Sequence, residues 1–211
     1  MRNFPFLPYC AQMAPAPEQT PDPRRITDLD ALKVFTHPLR IELYRALFTG
    51  GAATASRLAG QLGEAVSLVS YHLRKLAAHG FIVEAPELAG DARERWWRVE
   101  RGFTFRNSDF GDSPQSVAVV GQVTRQLLRA RQERYDTYLD GSASWGAQWV
   151  DAAFNWEYMP RLTATELQQL SEELRELIIT YRERGRAAEA AGDTEGREQV
   201  SVQMFGFPFR P

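Results

Sequence analysis

The sequence predicts an α+β fold that is mostly helical, with a small N-terminal domain and a helical C-terminal region. Three observations support this prediction. Apolar residues recur at helical spacing through most of residues 27–79, and two strand-like segments then flank a turn at Gly90-Asp91. From residue 113 onward, two longer segments again place apolar residues three and four positions apart.

The composition excludes several classes of protein. The chain has 211 residues, of which 44% are hydrophobic and 25% are charged, as in a globular protein that buries a core. A single cysteine, Cys10, permits neither an intrachain disulfide nor a cysteine-rich metal site, and it suits a reducing compartment. No apolar run approaches the roughly 18 residues of a membrane span. We therefore expect a cytoplasmic protein without a metal or another cofactor.

The N-terminal segment is rich in proline. Residues 1–23 contain six of the twelve prolines, which predicts a flexible or extended arm. Two interpretations of its apolar residues stay open. Either they pack on the body of the protein, or the chain truly starts at Met13 and much of the arm is irrelevant.

Residues 27–48 are predicted to form two helices. Thr27 is a suitable N-cap for the first, because its hydroxyl can accept a hydrogen bond from a free backbone N–H. His37-Pro38 separates the two helices, since a residue before proline avoids the helical conformation. Gly50-Gly51 ends the second helix.

The next two helices are predicted to form a helix-turn-helix. Thr54 can cap a short helix that ends at Gly63, where a left-handed residue is needed. A longer helix opens at Ser67 and ends at His79-Gly80. Two helices joined by a tight, glycine-containing turn are typical of this motif.

A β-hairpin follows directly and would form a wing. Its strands are predicted over Phe81–Glu84 and Arg93–Val99. Neighbouring strand residues point to opposite faces, so one ring of Trp96-Trp97 should lie in the core and the other outside. The winged helix-turn-helix domain is accordingly placed at residues 25–106.

The C-terminal region is predicted to contain two long helices. The first runs from about residue 113 to 138, and Thr163 with Glu166 makes a capping box for the second. Apolar residues of the second helix follow the 3, 4, 3, 4 spacing of a helix-pairing seam. The predicted dimerisation residues are Leu167, Leu170, Leu174, Leu177 and Tyr181. The alternative assigns this seam to an internal core. The region spans residues 113–191, and a tail covers 192–211.

Charge is distributed unevenly along the chain, whose net charge is −2. Residues 24–106 carry 13 Lys/Arg and 9 Asp/Glu, whereas the rest carries 12 and 18. A basic module joined to an acidic one is the pattern expected when one part contacts nucleic acid and the other does not.

Residues 31–99 resemble the winged-helix domain of the ArsR-type repressors. Three segments carry the resemblance, ALKVFTHPLRI at 31–41, SLVSYHLRKL at 67–76 and AAHGFI at 77–82. It implies a homodimeric repressor that binds double-stranded DNA, with its recognition helix in the major groove. Sensors of this type often bind metal through cysteines on the preceding helix. Here residues 53–62 contain no Cys, Asp, Glu or His, so metal sensing is not expected.

The predicted recognition helix offers a polar face opposite its apolar one. With Val69, Leu73 and Leu76 facing inward, serines near the helix start can reach base edges, and the basic residues can reach phosphates. Alternate arginines of the wing share one strand face and can reach the flanking backbone. The candidate DNA-binding residues are Arg57, Ser67, Ser70, Tyr71, His72, Arg74, Lys75, Arg93 and Arg95. For His72, helix packing is the alternative role.

An aromatic-rich segment at 145–158 permits two interpretations. It could line a pocket for a small hydrophobic effector, through Trp145, Trp149, Phe154, Trp156 and Tyr158. Ordinary core or dimer packing is the favoured alternative.

Two other classes of function compete with DNA binding. An enzyme is not expected, because the sequence has no phosphate loop, nucleophile elbow or metal-ligand cluster. A winged helix can also serve as a protein-interaction module without reading DNA. The aligned basic residues favour DNA.

Overall fold

The structure, a computed structural model, describes residues 23–90 and 94–210. It is mostly helical with a small sheet, and it places the helix-turn-helix in the N-terminal part and long helices in the C-terminal part, as predicted. The chain divides into two compact units, with the boundary between Leu139 and Asp140. The predicted arm up to residue 22 and the wing residue Arg93 lie outside the described residues.

The first unit alternates short strands with helices. Its helices are α1 (Leu29–Lys33), α2 (Pro38–Gly50), α3 (Ala55–Leu62), α4 (Val66–Ala78) and α5 (Pro114–Gly141), of which residues 114–139 lie in this unit. Its strands are β1 (Arg24–Arg25), β2 (Ala53–Thr54), β3 (Val83–Glu84), β4 (Trp96–Arg98) and β5 (Phe103–Thr104). Short 3₁₀ turns lie at Val34–Thr36, Pro86–Leu88 and Asn107–Phe110.

Asp28 caps α1, and the expectation that Thr27 does so is wrong. The Asp28 carboxylate accepts hydrogen bonds from the backbone N–H groups of Asp30, at 3.1 Å, and Ala31, at 3.2 Å. The predicted break between α1 and α2 is confirmed, since His37 is extended directly before Pro38.

The helix-turn-helix forms through the predicted local signals. The Thr54 hydroxyl accepts from the backbone N–H of Arg57 at 3.3 Å, and Gly63 ends α3 in the left-handed conformation at φ 68°. The longer helix α4 begins at Val66, one residue before the predicted Ser67.

The wing sheet has the antiparallel order β2-β4-β3. Ala53 faces Trp97 across one ladder, and Val83 faces Arg98 across the other. Among the described residues of the hairpin, the strands are shorter than predicted, because the pairing of β3 with β4 is limited to Val83 with Arg98 and Glu84 with Trp97. Trp97 is 4% exposed and Trp96 is partly exposed, which confirms the predicted split of the pair.

The core of the first unit is aromatic at its centre and extends to α5. Phe35 is fully buried and stacks on Phe103, with ring centroids 4.5 Å apart. From α5, Val120, Val123 and Ala130 are buried in the same cluster. The side chains of Gln122 and Gln126 also donate to the backbone carbonyl of Thr36, at 3.3 and 2.8 Å. The helix that the sequence analysis assigns to the C-terminal region therefore packs on the winged domain.

The second unit contains α6 (Ala147–Ala152) and α7 (Ala164–Ala190). The predicted capping box of α7 is confirmed: the Thr163 backbone N–H donates to the Glu166 carboxylate at 2.7 Å, and the Glu166 N–H donates to the Thr163 hydroxyl at 3.2 Å. None of residues 140–210 is buried. Among the described helices, none is long and apolar enough to cross a membrane.

Candidate nucleic-acid interface

Helix α4 separates its residues into a buried and an exposed face. Three aliphatic residues at spacings of four and three, Val69, Leu73 and Leu76, are fully buried against the core. The opposite face carries Ser67, Tyr71, Arg74 and Lys75, all exposed, with Ser70 partly exposed. A 3.6-residue period divides a helix in this way, and the outer face is the part that can reach a duplex.

The exposed face of α4 is basic and has no paired carboxylate. In the described part of the chain, no Asp or Glu lies within 4.0 Å of the charged atoms of Arg74 or Lys75. The Lys75 ammonium lies 5.7 Å from the centre of the Tyr71 ring. These cations are therefore available to a phosphate backbone.

Two apolar residues that sequence reasoning missed lie beside this face. Val66 is 47% exposed and Leu68 is 40% exposed, on either side of Ser67. Apolar groups of this kind can contact thymine methyl groups in a major groove. The helical period already carried the signal, because Val69 faces inward and Leu68 lies about 100° away from it.

His72 differs from the other candidates of α4, since it is only 4% exposed. Its ring lies 4.3 Å from that of His37, measured between centroids. Burial lowers the pKa of His72, and the charges of His37 and Arg40 lower it further. His72 therefore packs on the inner side of α4 and does not lie on the solvent-facing surface.

Arg57 projects from the exposed side of α3. It lines an open cleft of about 260 Å³ together with residues from the end of α2 and from β2. Arg57 thus lies on a helix next to α4, where a phosphate-contacting residue of a helix-turn-helix is expected.

In the wing, charged residues pair with one another. Arg95 is exposed, forms an ion pair with Glu84 at 3.3 Å, and lies 5.9 Å from the centre of the Trp97 ring. Arg98 pairs with Glu87. The described wing therefore offers less free positive charge than α4 does.

Residues 35–85 match the family model of a helix-turn-helix domain. The match runs from the turn before α2, through α3 and α4, to the residue after β3. It therefore includes every candidate residue of the α4 face, together with Arg57. No curated protein matches the chain.

Three solved structures of bacterial proteins resemble parts of the chain. One, of ZitR from Lactococcus lactis (a mutant in apo form), is 15% identical, covers 72% of this chain and 85% of its own, and has a TM-score of 0.27. A transcriptional regulator from Thermotoga maritima is 14% identical, covers 74% and 89%, and has a TM-score of 0.29. Wild-type ZitR in complex with DNA is 15% identical, covers 71% and 74%, and has a TM-score of 0.26. At TM-scores this low, these resemblances do not establish a shared fold.

Beyond the helix-turn-helix domain, the predicted seam residues lie on the surface of α7. Leu170 is 39% exposed, Leu177 is 52% exposed and Tyr181 is 62% exposed, while Leu167 and Leu174 are partly exposed. The apolar stripe is thus continuous along the helix, and it is incompletely covered in a single chain.

The aromatic residues proposed for an effector pocket do not enclose one in a single chain. Phe154, Trp156 and Tyr158 are 56%, 70% and 79% exposed, on an extended segment between α6 and α7. Phe154 stacks on Trp156 with ring centroids 4.5 Å apart. Trp145 and Trp149 are partly exposed. In a single chain, these aromatic side chains are therefore exposed or partly exposed and do not line a pocket.

No metal site is evident in the part of the chain that the structure describes. No group of three or more His, Cys, Asp or Glu side chains there is arranged to hold an ion.

Proposed function

We propose that this chain is a transcriptional regulator that binds double-stranded DNA as a homodimer and represses transcription by occupying a promoter. Helix α4 enters the major groove, and the wing lies on the flanking backbone. The observation that carries this proposal is the exposed face of α4, whose Arg74 and Lys75 have no carboxylate partner among the described residues.

The order of residues along α4 suits base contacts near the start of the helix and phosphate contacts further along it. Ser67 and Ser70 lie in the first turns, where helices of this motif contact base edges. Arg74 and Lys75 lie one to two turns later and would contact the backbone, which fixes the register of the helix. The first turn of α4 contains no acidic residue that would repel a phosphate.

The α7 seam supports a dimer. Exposed apolar stripes of this extent are typical of association surfaces. Residues 164–176 of α7 carry four Glu and one Arg, whereas residues 177–190 carry three Arg and two Glu. An antiparallel pair would place the acidic half of one helix against the basic half of the other, and it would also oppose the helix dipoles. A twofold dimer presents two recognition helices about 34–36 Å apart, which matches successive major grooves.

The experiment measures DNA affinity as a function of salt. Duplexes recovered from genomic DNA by the native protein are titrated with the wild type and with the double variant Arg74→Ala, Lys75→Ala. Loss of two phosphate contacts should weaken binding and lower the slope of log affinity against log salt by about two.

A matched control removes the same charge elsewhere. Arg125 and Arg129 are exposed on α5, and replacing both with alanine should leave the affinity and the slope close to wild type. Equal losses in the two double variants would show that α4 does not contact DNA. If the native protein recovers a bound protein and no DNA, the alternative of a protein-interaction module is favoured.

A further inference from the structure

A group of polar atoms lacks partners where α2 begins, next to the inner side of α4. Three buried side-chain atoms there make no hydrogen bond within the described chain: Arg40 Nε, His72 Nδ1 and Gln126 Oε1. Gln126 is tied to the same place by its bond to the carbonyl of Thr36, and the ring of His37 contacts that of His72. Buried polar atoms without partners are rare and costly, because each has lost water and gained no partner, so a group that supplied hydrogen bonds here would stabilise the protein.

The cluster carries positive charge without a carboxylate to balance it. Arg40 has no Asp or Glu within 4.0 Å among the described residues, and burial lowers the pKa of its guanidinium. His37 and Arg40 both disfavour a proton on His72, and Glu64 alone acts weakly in the opposite direction. The residues that reach the cluster from α5, Gln122 and Gln126, are neutral. An anion would relieve this imbalance.

The backbone at the start of α2 adds to the positive electrostatic potential of this cluster. Helix α2 has 13 residues and therefore a full dipole, its N-cap His37 makes no side-chain capping bond, and its first turn has no acidic residue. The positive end of such a helix favours a phosphate oxygen. His72 supports an anion site here independently of the helix dipole, because its side chain is 96% buried and its Nδ1 has no hydrogen-bond partner among the described residues.

We infer that His37, Arg40 and His72 form a phosphate-binding site at the N-terminus of α2. The guanidinium of Arg40 and the imidazole of the exposed His37 donate to the phosphate oxygens, and the buried ring of His72 packs against that of His37. His37 is exposed and Arg40 is partly exposed, so the site opens to solvent.

The phosphate can come from two sources. Tyr71 lies on the exposed face of α4, and the centroid of its ring is 5.1 Å from that of His72, so the site borders the proposed DNA face. A backbone phosphate of bound DNA is one source, and this source depends on the proposed function. Free phosphate, or a small phosphorylated compound, is the other.

The first arm of the experiment tests free phosphate by NMR. The chain has three histidines, so imidazole signals are readily assigned, and His79, at the far end of α4, is an internal control. Inorganic phosphate, compared with chloride at equal ionic strength, should shift the imidazole signals of His72 and His37 and leave those of His79 unchanged. Arg40→Gln should abolish this shift, whereas Arg129→Gln, on the exposed side of α5, should retain it.

The second arm tests DNA. Arg40→Gln and His37→Gln should each lower the salt slope of duplex binding, by about one for the arginine, whereas Arg129→Gln should not. Because the side chain of His37 is exposed, His37→Gln keeps this test valid if Arg40→Gln does not fold.

The two arms together identify the source of the phosphate. A response in the first arm alone assigns free phosphate, and a response in the second arm alone assigns the DNA backbone. If phosphate moves neither His37 nor His72 and both variants keep the slope of Arg129→Gln, the site does not exist. If the wild type binds no duplex at all, the proposed function fails, and the NMR arm still decides the phosphate site.

Discussion

At the scale of single residues, Arg24 holds the end of the proposed recognition helix. Its guanidinium donates to the carbonyl of His79 at 2.7 Å and lies 5.4 Å from the centre of the Phe81 ring. The carbonyls at a helix C-terminus have no partners within the helix, and a cation there also meets the negative end of the dipole. Arg24 therefore stabilises the orientation of α4 from a strand 55 residues earlier.

Replacing Arg24 with methionine should lower the free energy of unfolding by about 1–2 kcal/mol, because a hydrogen bond from a charged donor is lost. Chemical denaturation measures this change. Lys33 on α1 pairs with the exposed Asp30, so Lys33→Met should cost less, because water screens an ion pair at the surface. Equal losses in the two variants would mean that the hydrogen bond from Arg24 to the end of α4 stabilises the protein no more than a surface ion pair does.

The histidine on the inner side of α4 shows what residue-level prediction can miss. Val69, His72 and Leu76 are three and four residues apart, so the helical period already assigned His72 to the buried face. Its resemblance to a family position placed it instead among the candidate DNA contacts. The contact with His37 could not be read from the sequence, because it depends on how α2 crosses α4.

At the scale of elements, the turn between α3 and α4 sets the position of the DNA face. Gly63 has φ +68°, and a side chain there would meet no neighbouring atom within 4 Å. The requirement for glycine is therefore conformational and not steric, since residues with a Cβ are strained in the left-handed region.

Two glycines, Gly60 within α3 and Gly63 at its C-cap, allow a matched test of this requirement. Gly63→Ala should destabilise the protein by about 1–2 kcal/mol, because alanine must adopt the left-handed conformation. Gly60→Ala lies within α3, also in open space, and should stabilise by about 0.5–1 kcal/mol through its higher helix propensity. Thermal or chemical unfolding measures both. The same sign for both variants would contradict the explanation.

Helix α5 shows that an element can be predicted correctly while its packing is not. Its existence follows from the helical spacing of apolar residues. Its buried residues Val120, Val123 and Ala130 pack on the winged domain, and Gln122 and Gln126 bond to Thr36. Glutamines carry no sequence signal for such a bond, because their partner is a backbone carbonyl far away in the chain.

At the scale of the whole molecule, the two units differ in how they bury apolar side chains. The first has a continuous core, whereas no residue between 140 and 210 is buried. Folding depends mainly on apolar burial, so a unit with exposed leucines and aromatics requires a further surface. In our proposal, a second copy of the chain supplies that surface along α7.

The dimer is tested by a charge in the seam. Leu174→Glu should convert the proposed dimer into monomers, because it would bury an unpaired carboxylate between two apolar stripes. Light scattering coupled to size-exclusion chromatography measures the mass. Leu128→Glu, on the exposed surface of α5, is the control and should leave the dimer intact. An intact dimer in the Leu174 variant would assign the α7 seam to another role.

The sequence by itself determined the order of helices α1 to α5 and α7, the caps at Thr54, Gly63 and Thr163, and the polar face of α4, because these depend on residues within a few positions of one another. Only the tertiary structure decided that Arg24 holds the end of α4, that α5 packs on the winged domain, and that His37, Arg40 and His72 meet. These contacts join residues 32 to 90 positions apart, and their geometry depends on how helices cross, which local spacing does not encode.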